Sequence, residues 1–195
     1  MNRPHPDCPA DCPGTAERGV DRQEPGTGER LNRLRAAVLG ANDGIVSTAA
    51  VVVGVAGATS DQTTIAMSGL AAVIGGAVSM ALGEYVSVSS QRDSERAMGL
   101  AKEMQVNPWS AAVASFLSFL LGAALPFATA LLAPASWRIA AIFMLTLVAL
   151  ALTGALSAKL GEAPVARSVA RIVVGGTMAL AATFAIGSLF GANVG

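Results

Sequence analysis

The sequence predicts an all-α integral membrane protein built from five transmembrane helices. Hydrophobic residues make up 53% of the 195 residues and charged residues only 13%, half the share of about 25% that a soluble domain carries. The charges are unevenly placed, since residues 1–35 hold six basic and six acidic side chains and the rest of the chain only seven of each. So few charges cannot coat a water-soluble domain of this size. Five apolar stretches of helical length complete the prediction.

Net charge and rare residue types exclude several functions. The formal net charge is zero and the basic residues form no stripe, so nothing supports binding to nucleic acid. A single histidine, His5, weakens any histidine-based catalytic or zinc site. Two cysteines, Cys8 and Cys12, cannot supply a disulfide framework for the rest of the chain. We therefore expect no enzyme and no resident cofactor, with membrane lipid as the surroundings of the chain.

Residues 1–30 are predicted to form a disordered tail. They are rich in Pro, Gly and charge, so they bury too little apolar surface to offset their ordering entropy. They also lack the positive-then-apolar order and the cleavage site of a signal peptide. His5, Cys8 and Cys12 are potential metal ligands, but their spacing matches no standard zinc site. We favour incidental tail composition, and the role of this cluster stays open.

The five-helix domain is predicted over residues 31–195. Each span has about the 20 apolar residues needed to cross a hydrocarbon core about 30 Å thick, and backbone groups in lipid must bond within their own helix. Asp61 precedes the second span, Asn107-Pro108 is typical of a helix start, and Pro126 predicts a kink in the third. The spans cover residues 34–58, 64–90, 109–132, 137–158 and 166–190, with a short cytoplasmic linker at 91–107.

Positive charge sets the orientation of the bundle. Because consecutive spans alternate sides, the N-terminus shares one face with the linkers at 91–107 and 159–167. Together with Arg171, that face carries 12 of the 13 basic residues, and Arg138 alone lies on the other. The sequence therefore predicts a cytoplasmic N-terminus and an external C-terminus.

Two acids lie inside predicted spans, Asp43 in the first and Glu84 in the second. A charge near the bilayer centre costs about 2.5–3.5 kcal/mol on insertion scales, so each acid requires a reason. We expect no Lys or Arg within either span to neutralise them. A rise of about 1.5 Å per residue puts Asp43 and Met80 level near the midplane, with Glu84 one turn nearer the cytoplasm. The alternative is that each acid is protonated and hydrogen-bonded between helices.

This set of donors favours a divalent metal ion. Carboxylates attract divalent cations, and the Met80 thioether suits a transition metal better than Mg²⁺ or Ca²⁺. Met80 alone is more typical of core packing, although its level match with Asp43 brings the two interpretations close to even. Asn42 is a possible accessory ligand through its carbonyl oxygen, but a helix–helix hydrogen bond is favoured. The residues therefore predict a metal pathway at Asp43, Met80 and Glu84.

Small residues are frequent in the first two spans, and Gly40 and Gly44 bracket Asp43. Small residues four apart let helix backbones approach closely, which puts the first span at a helix interface. If that interface is a two-fold dimer axis, Asp43 and Met80 each occur twice and supply four ligands.

Two long segments resemble signature sequences of the vacuolar iron transporter (VIT/CCC1) family. They are RAAVLGANDGIVST at residues 35–48 and SMALGEYVSVSSQRDSE at residues 79–95. The segment from NPWSAA at residues 107–112 through Pro126 is similar to the third membrane helix of that family. The resemblance covers roughly residues 30–195.

The resemblance implies a five-helix homodimer that moves Fe²⁺, often also Mn²⁺, out of the cytoplasm in exchange for protons. It implies that Asp43 is the pathway acid of the first helix, Met80 the methionine of the second, and Glu84 an acid of the second-helix motif. In a prokaryote the membrane would be the plasma membrane, and in a eukaryote the vacuolar membrane.

The linker departs from the family pattern. Many members carry a long Glu-rich helical domain between the second and third membrane helices, whereas here only residues 91–107 separate those spans. Glu95 and Glu103 are possible accessory ligands, but nearby basic residues balance the linker acids, so a solvated helical extension is favoured. The shorter plan resembles the nodulin-21-like branch of the family.

Proton exchange is a hypothesis that follows from the chemistry of the two acids. Burial favours a protonated carboxylate, and a cation that binds there displaces the proton. Two other functions stay open: transport of another cation, and a non-transporting membrane scaffold that uses the linker for docking. An intramembrane aspartyl protease is disfavoured because it needs two acids that share one proton, and the spans contain only one Asp.

Overall fold

The computed structural model describes residues 27–161 and 163–194, without the side chains of Thr27, Glu103, Asn193 and Val194. Within these ranges five long helices, each apolar enough to cross a membrane, form the chain and no strand is present, which confirms the predicted all-α class. His5, Cys8 and Cys12 lie outside the described residues. The helices are α1 (Thr27–Ala58), α2 (Gln62–Ala97), α3 (Pro108–Leu132), α4 (Arg138–Leu160) and α5 (Val165–Val194), with a 3-10 turn at Lys102–Met104 between α2 and α3.

Two helices extend beyond the predicted spans on the same side of the bundle. The described part of α1 starts at Thr27, inside the segment predicted as a disordered tail, and α2 continues to Ala97 through the first seven of the 17 residues of the predicted linker. Glycine ends α2, because Gly99 adopts a left-handed φ of 76°. Its amide donates to the Arg96 carbonyl, and the next amide donates to the Glu95 carbonyl at 3.1 Å. This is the Schellman arrangement, which satisfies carbonyls at the helix end.

The predicted helix starts are confirmed by their caps. The Asn107 side chain accepts hydrogen bonds from the amides of Trp109 and Ser110, and Pro108 opens α3. At the other end of the bundle, the Asp61 carboxylate accepts a hydrogen bond of 2.7 Å from the Thr64 amide and so caps α2. Pro126 lies inside α3 with its side chain buried, and the helix is continuous through it.

The close packing of α1 against α3 uses the glycine pair that brackets Asp43. A Cβ added to Gly40 would lie 2.5 Å from the Ser115 carbonyl oxygen, and one added to Gly44 would overlap the Phe119 carbonyl. The predicted helix interface is therefore present. Its partner, however, is α3 of the same chain, so this glycine pair does not face a two-fold axis.

α1 is the central helix and packs against all four others. The remaining helices follow one another around it, because α3 contacts both α2 and α4, and α5 packs on α4 and on α1. Buried apolar residues from several helices hold one end of the bundle together, and a face of α1 remains partly open beside α2. The main core cluster consists of Ala49, Val52, Val53, Ile65, Ala130, Ile142 and Leu180.

Candidate functional site

A groove of about 360 Å³ between α1 and α2 contains all three residues of the predicted pathway. We call it the α1–α2 groove. Asp43, Met80 and Glu84 line it, and small or apolar residues form the rest of its wall. The helical period accounts for this arrangement, because residues four apart lie on one face of a helix. The other lining residues are Leu39, Ser47, Val51, Ala72, Gly76, Ser79 and Gly83.

Asp43 presents a half-buried carboxylate to the α1–α2 groove. Among the described residues this carboxylate has no hydrogen bond and no ion pair. The Ser47 hydroxyl one turn further on donates to the Asp43 backbone carbonyl at 2.6 Å and not to the side chain. The carboxylate oxygens are therefore available to a proton or to a cation.

Glu84 is buried, with its side chain only 6% exposed, and it has a partner. The Arg35 Nη2 atom lies 3.0 Å from Glu84 Oε2, and it also donates to Asn32 Oδ1 at 3.3 Å. The expectation that no basic residue in either span neutralises the acids was therefore wrong for Glu84. Arg35 is the second residue of the predicted first span, and its long side chain reaches the acid on the neighbouring helix.

Met80 belongs both to the groove and to the core. Its half-buried side chain lines the α1–α2 groove, and it also packs against a buried cluster between α2 and α3. The thioether therefore adds a soft donor beside the two carboxylates and apolar contact to the cluster. The cluster consists of Val73, Ala77, Phe119 and Ala123.

Asn42 lies in a different groove from its neighbour Asp43. It lines a larger, mostly apolar groove of about 490 Å³ between α1, α4 and α5, which we call the α1–α4–α5 groove. The Asn42 Oδ1 atom is buried and has no hydrogen-bond partner, so the favoured helix–helix hydrogen bond is not formed through that oxygen. Arg35 lines this second groove as well.

Of the two linker acids predicted as accessory ligands, the structure describes the side chain of Glu95 but not that of Glu103. Glu95 Oε2 accepts a hydrogen bond of 2.9 Å from the Val106 amide, and Glu95 Oε1 accepts one of 3.0 Å from Gln91 Nε2. The bond to Val106 holds the linker against the end of α2, whereas the bond to Gln91 lies within α2 itself. The Glu103 side chain lies outside the described residues, so its suggested role stays a prediction.

The donors of one chain make an incomplete metal site. Within the described ranges, no cluster of three or more His, Cys, Asp or Glu side chains is placed to hold a metal ion. Two carboxylates and a thioether along an open groove are donors of the types that a transition-metal ion takes, but the described part of one chain does not close them into a cage.

Comparison with known proteins shows similarity over most of the chain. A sequence model described as the VIT family matches residues 34–103 and 97–188. Vacuolar iron transporter homolog 1 of Arabidopsis thaliana is 44% identical over 173 residues, which cover 85% of this chain and 86% of that protein. Vacuolar iron transporter homolog 5 of Oryza sativa subsp. japonica is 44% identical over 84% of this chain and 83% of its own length. Vacuolar iron transporter homolog 1 of Oryza sativa subsp. japonica is 43% identical over 90% of this chain and 84% of its own length.

Proposed function

This chain belongs to the VIT family, and on that premise we propose that it is a multi-pass membrane transporter that carries Fe²⁺, and also Mn²⁺, out of the cytoplasm in exchange for protons. The observation that carries the proposal is that Asp43, Met80 and Glu84 line one groove on membrane-spanning helices. Ionisable groups at such positions are costly in lipid and mark ion pathways. The printed names of the relatives support iron as the cargo.

The donor types support a transition metal as the substrate. Asp43 supplies carboxylate oxygens without a competing partner in the described structure, and Met80 supplies a polarisable sulfur. The affinity order of such sites does not separate Fe²⁺ from Mn²⁺ strongly, and availability in the cell decides which ion is carried.

Proton exchange is proposed from the position of Asp43. A partly buried carboxylate without a counter-charge holds a proton until a divalent cation replaces it. Release of the cation on the other side of the membrane lets the carboxylate take up a proton again. One site thus couples the two flows.

A homodimer is proposed to complete the pathway. One side of α2 carries small, exposed residues four apart, and a Cβ built on Gly75 or Gly83 meets nothing within 4 Å. Small residues at this spacing support close helix pairing in membranes. Gly83 also lines the α1–α2 groove. Pairing of two chains along this row would therefore bring their two α1–α2 grooves close to each other. The row consists of Ala71, Gly75, Ser79, Gly83 and Ser87.

Transport by the purified protein in sealed vesicles tests the proposal. We expect anaerobic uptake of Fe²⁺, and uptake of Mn²⁺, that depends on a pH gradient and is accompanied by counter-flow of protons reported by a trapped pH dye. Asp43→Asn should lower the transport rate at least about ten-fold, because changing even an outer-shell partner of a metal ligand typically costs about 10–100-fold. Asp61→Asn is the matched control, because Asp61 caps α2 outside the groove.

The same assay separates the alternatives. Uptake of Ca²⁺ or Zn²⁺ in preference to Fe²⁺ and Mn²⁺ would replace the proposed cargo by another cation. Full transport by both Asp43→Asn and Glu84→Gln would overturn the assigned pathway. Absence of transport of every ion in the wild type would leave the scaffold interpretation.

A further inference from the structure

The Arg35 guanidinium occupies the position at Glu84 that a cation would take. Its Nη2 atom lies 3.0 Å from Glu84 Oε2, within the range of a charge-assisted hydrogen bond. The Glu84 side chain is 6% exposed, whereas the Arg35 side chain is 52% exposed. The acid is therefore fixed inside the protein, while its counter-charge reaches it from a partly open position.

We propose that Arg35 is a tethered counter-cation that competes with the transported metal ion for Glu84. Arg35 neutralises Glu84 while no cargo is present, the arriving ion displaces it, and Arg35 returns when the ion has moved on towards Asp43. This inference deepens the proposed function and rests on it. Arg35 is a positioning residue, because it acts on the cargo through Glu84.

The physical reason is the cost of leaving a buried carboxylate without a partner. An isolated buried charge is strongly unfavourable, so Glu84 needs a cation beside it whether or not cargo is bound. Asp43 is half-buried and has no partner in the described structure. A proton can therefore neutralise it while no cargo is bound. In the absence of cargo, Arg35 thus neutralises Glu84, and a proton neutralises Asp43.

The structure also provides a place for Arg35 when it leaves Glu84. Arg35 also lines the α1–α4–α5 groove, which has a volume of about 490 Å³. The walls of this groove include the polar residues Asn42, Thr153 and Ser157. A guanidinium released from Glu84 would therefore have polar neighbours within the groove that Arg35 already lines.

Competition predicts a kinetic signature that simple loss of structure would not produce. Without Arg35 the cargo no longer displaces a resident charge at Glu84, so the KM for the metal ion should fall. The ion should also leave Glu84 more slowly, since no side chain replaces it, so kcat should fall as well. Parallel decreases in KM and kcat indicate a bound state that has become too stable.

The experiment compares Arg35→Gln, Arg35→Lys and the wild type in the vesicle assay, with Mn²⁺ as the probe. We expect Arg35→Gln to lower KM about ten-fold and to lower kcat, and Arg35→Lys to lie between Arg35→Gln and the wild type. In the Glu84→Gln background the Arg35→Gln change should leave KM unchanged, because the site of competition is absent. Arg33→Gln is the matched control, since Arg33 is an exposed arginine two residues away on the same helix.

Binding of Mn²⁺ to the protein in lipid nanodiscs, followed by electron paramagnetic resonance, gives a second measurement. Tighter binding by Arg35→Gln, and not by Arg33→Gln, would support the proposal. If Arg35→Gln does not yield folded protein, Arg35→Lys carries the test through its intermediate KM. Transport with an unchanged or raised KM in both Arg35 variants would overturn this inference alone. No metal transport and no metal binding by the wild type would overturn the proposed function, and this inference with it.

Discussion

The backbone of Gly44 lies directly against the carbonyl oxygen of Phe119, so that a Cβ on Gly44 would overlap that oxygen. This contact brings α1 and α3 together next to Asp43, the acid of the α1–α2 groove. The distance between the two helices, and with it the position of Asp43, therefore depends on the absence of a side chain at residue 44.

Gly44→Ala is expected to destabilise the protein by about 1–3 kcal/mol, the usual cost of an extra methyl group in a closely packed position. The backbone carbonyl cannot move aside as a flexible side chain could, so α1 and α3 must separate. Thermal unfolding in detergent measures the effect as a lower melting temperature. Gly28→Ala is the control on the same helix, because a Cβ on Gly28 meets nothing within 4 Å. Equal melting temperatures for the two variants would contradict the assigned contact.

Removal of either partner of the Arg35–Glu84 pair should have unequal effects on stability. Arg35→Gln removes the charged hydrogen-bond donor of a buried carboxylate and is expected to cost about 1.5–3 kcal/mol, less than for a fully buried pair because Arg35 is half-exposed. Glu84→Gln leaves Arg35 half-exposed to solvent, so it should cost less than about 1 kcal/mol. Melting temperatures measured without metal, together with those of the double variant, give the comparison. A larger loss for Glu84→Gln than for Arg35→Gln would show that the buried acid does not depend on Arg35.

The exposed row of small residues on α2 allows a test of the proposed dimer. Gly75→Leu places a bulky side chain in the middle of that row, at a position where nothing lies within 4 Å in one chain. We expect the fraction of dimer to fall at least about ten-fold because close helix approach is lost, while the melting temperature changes little. Light scattering after size exclusion measures the oligomeric state. Gly175→Leu is the matched control on α5, where the glycine is equally open. Dissociation by Gly175→Leu and not by Gly75→Leu would place the interface elsewhere.

Acid should weaken the start of α2. The hydrogen bond from the Thr64 hydroxyl, followed by that from the Thr64 amide, holds the pKa of Asp61 below its ordinary value of 3.8. Because the folded-state pKa is the lower one, the stabilisation by the cap is complete above the ordinary value and is lost as the pH falls through the folded-state pKa. The melting temperature of the wild type should therefore fall more between pH 6 and pH 3, roughly the range of this titration, than that of Asp61→Asn. Asparagine keeps the capping oxygen without the titration. Parallel pH profiles for the two proteins would contradict this role of Asp61.

Elements that depend on local chemistry follow directly from the sequence. The apolar spans predict the five helices because a membrane-spanning helix needs a minimum apolar length, and Asn107-Pro108 predicts the start of α3 because its signals lie within one turn. The meeting of Asp43, Met80 and Glu84 also follows from depth and helical period along two neighbouring spans. The end of α2 at Ala97 was not located from the sequence, although a glycine such as Gly99 after a polar helical stretch is a signal for it.

Contacts between helices were decided only by the tertiary structure. The sequence alone determined that Gly40 and Gly44 form a face for close packing, but the fold decided that α3 of the same chain occupies it. Likewise, Asn42 and Asp43 are neighbours in sequence, yet the turn of about 100° between successive residues of a helix directs them into different grooves. The pairing of Arg35 with Glu84 also required the fold, because the helical period specifies which residues share a face, whereas the packing of all five helices determines which faces meet.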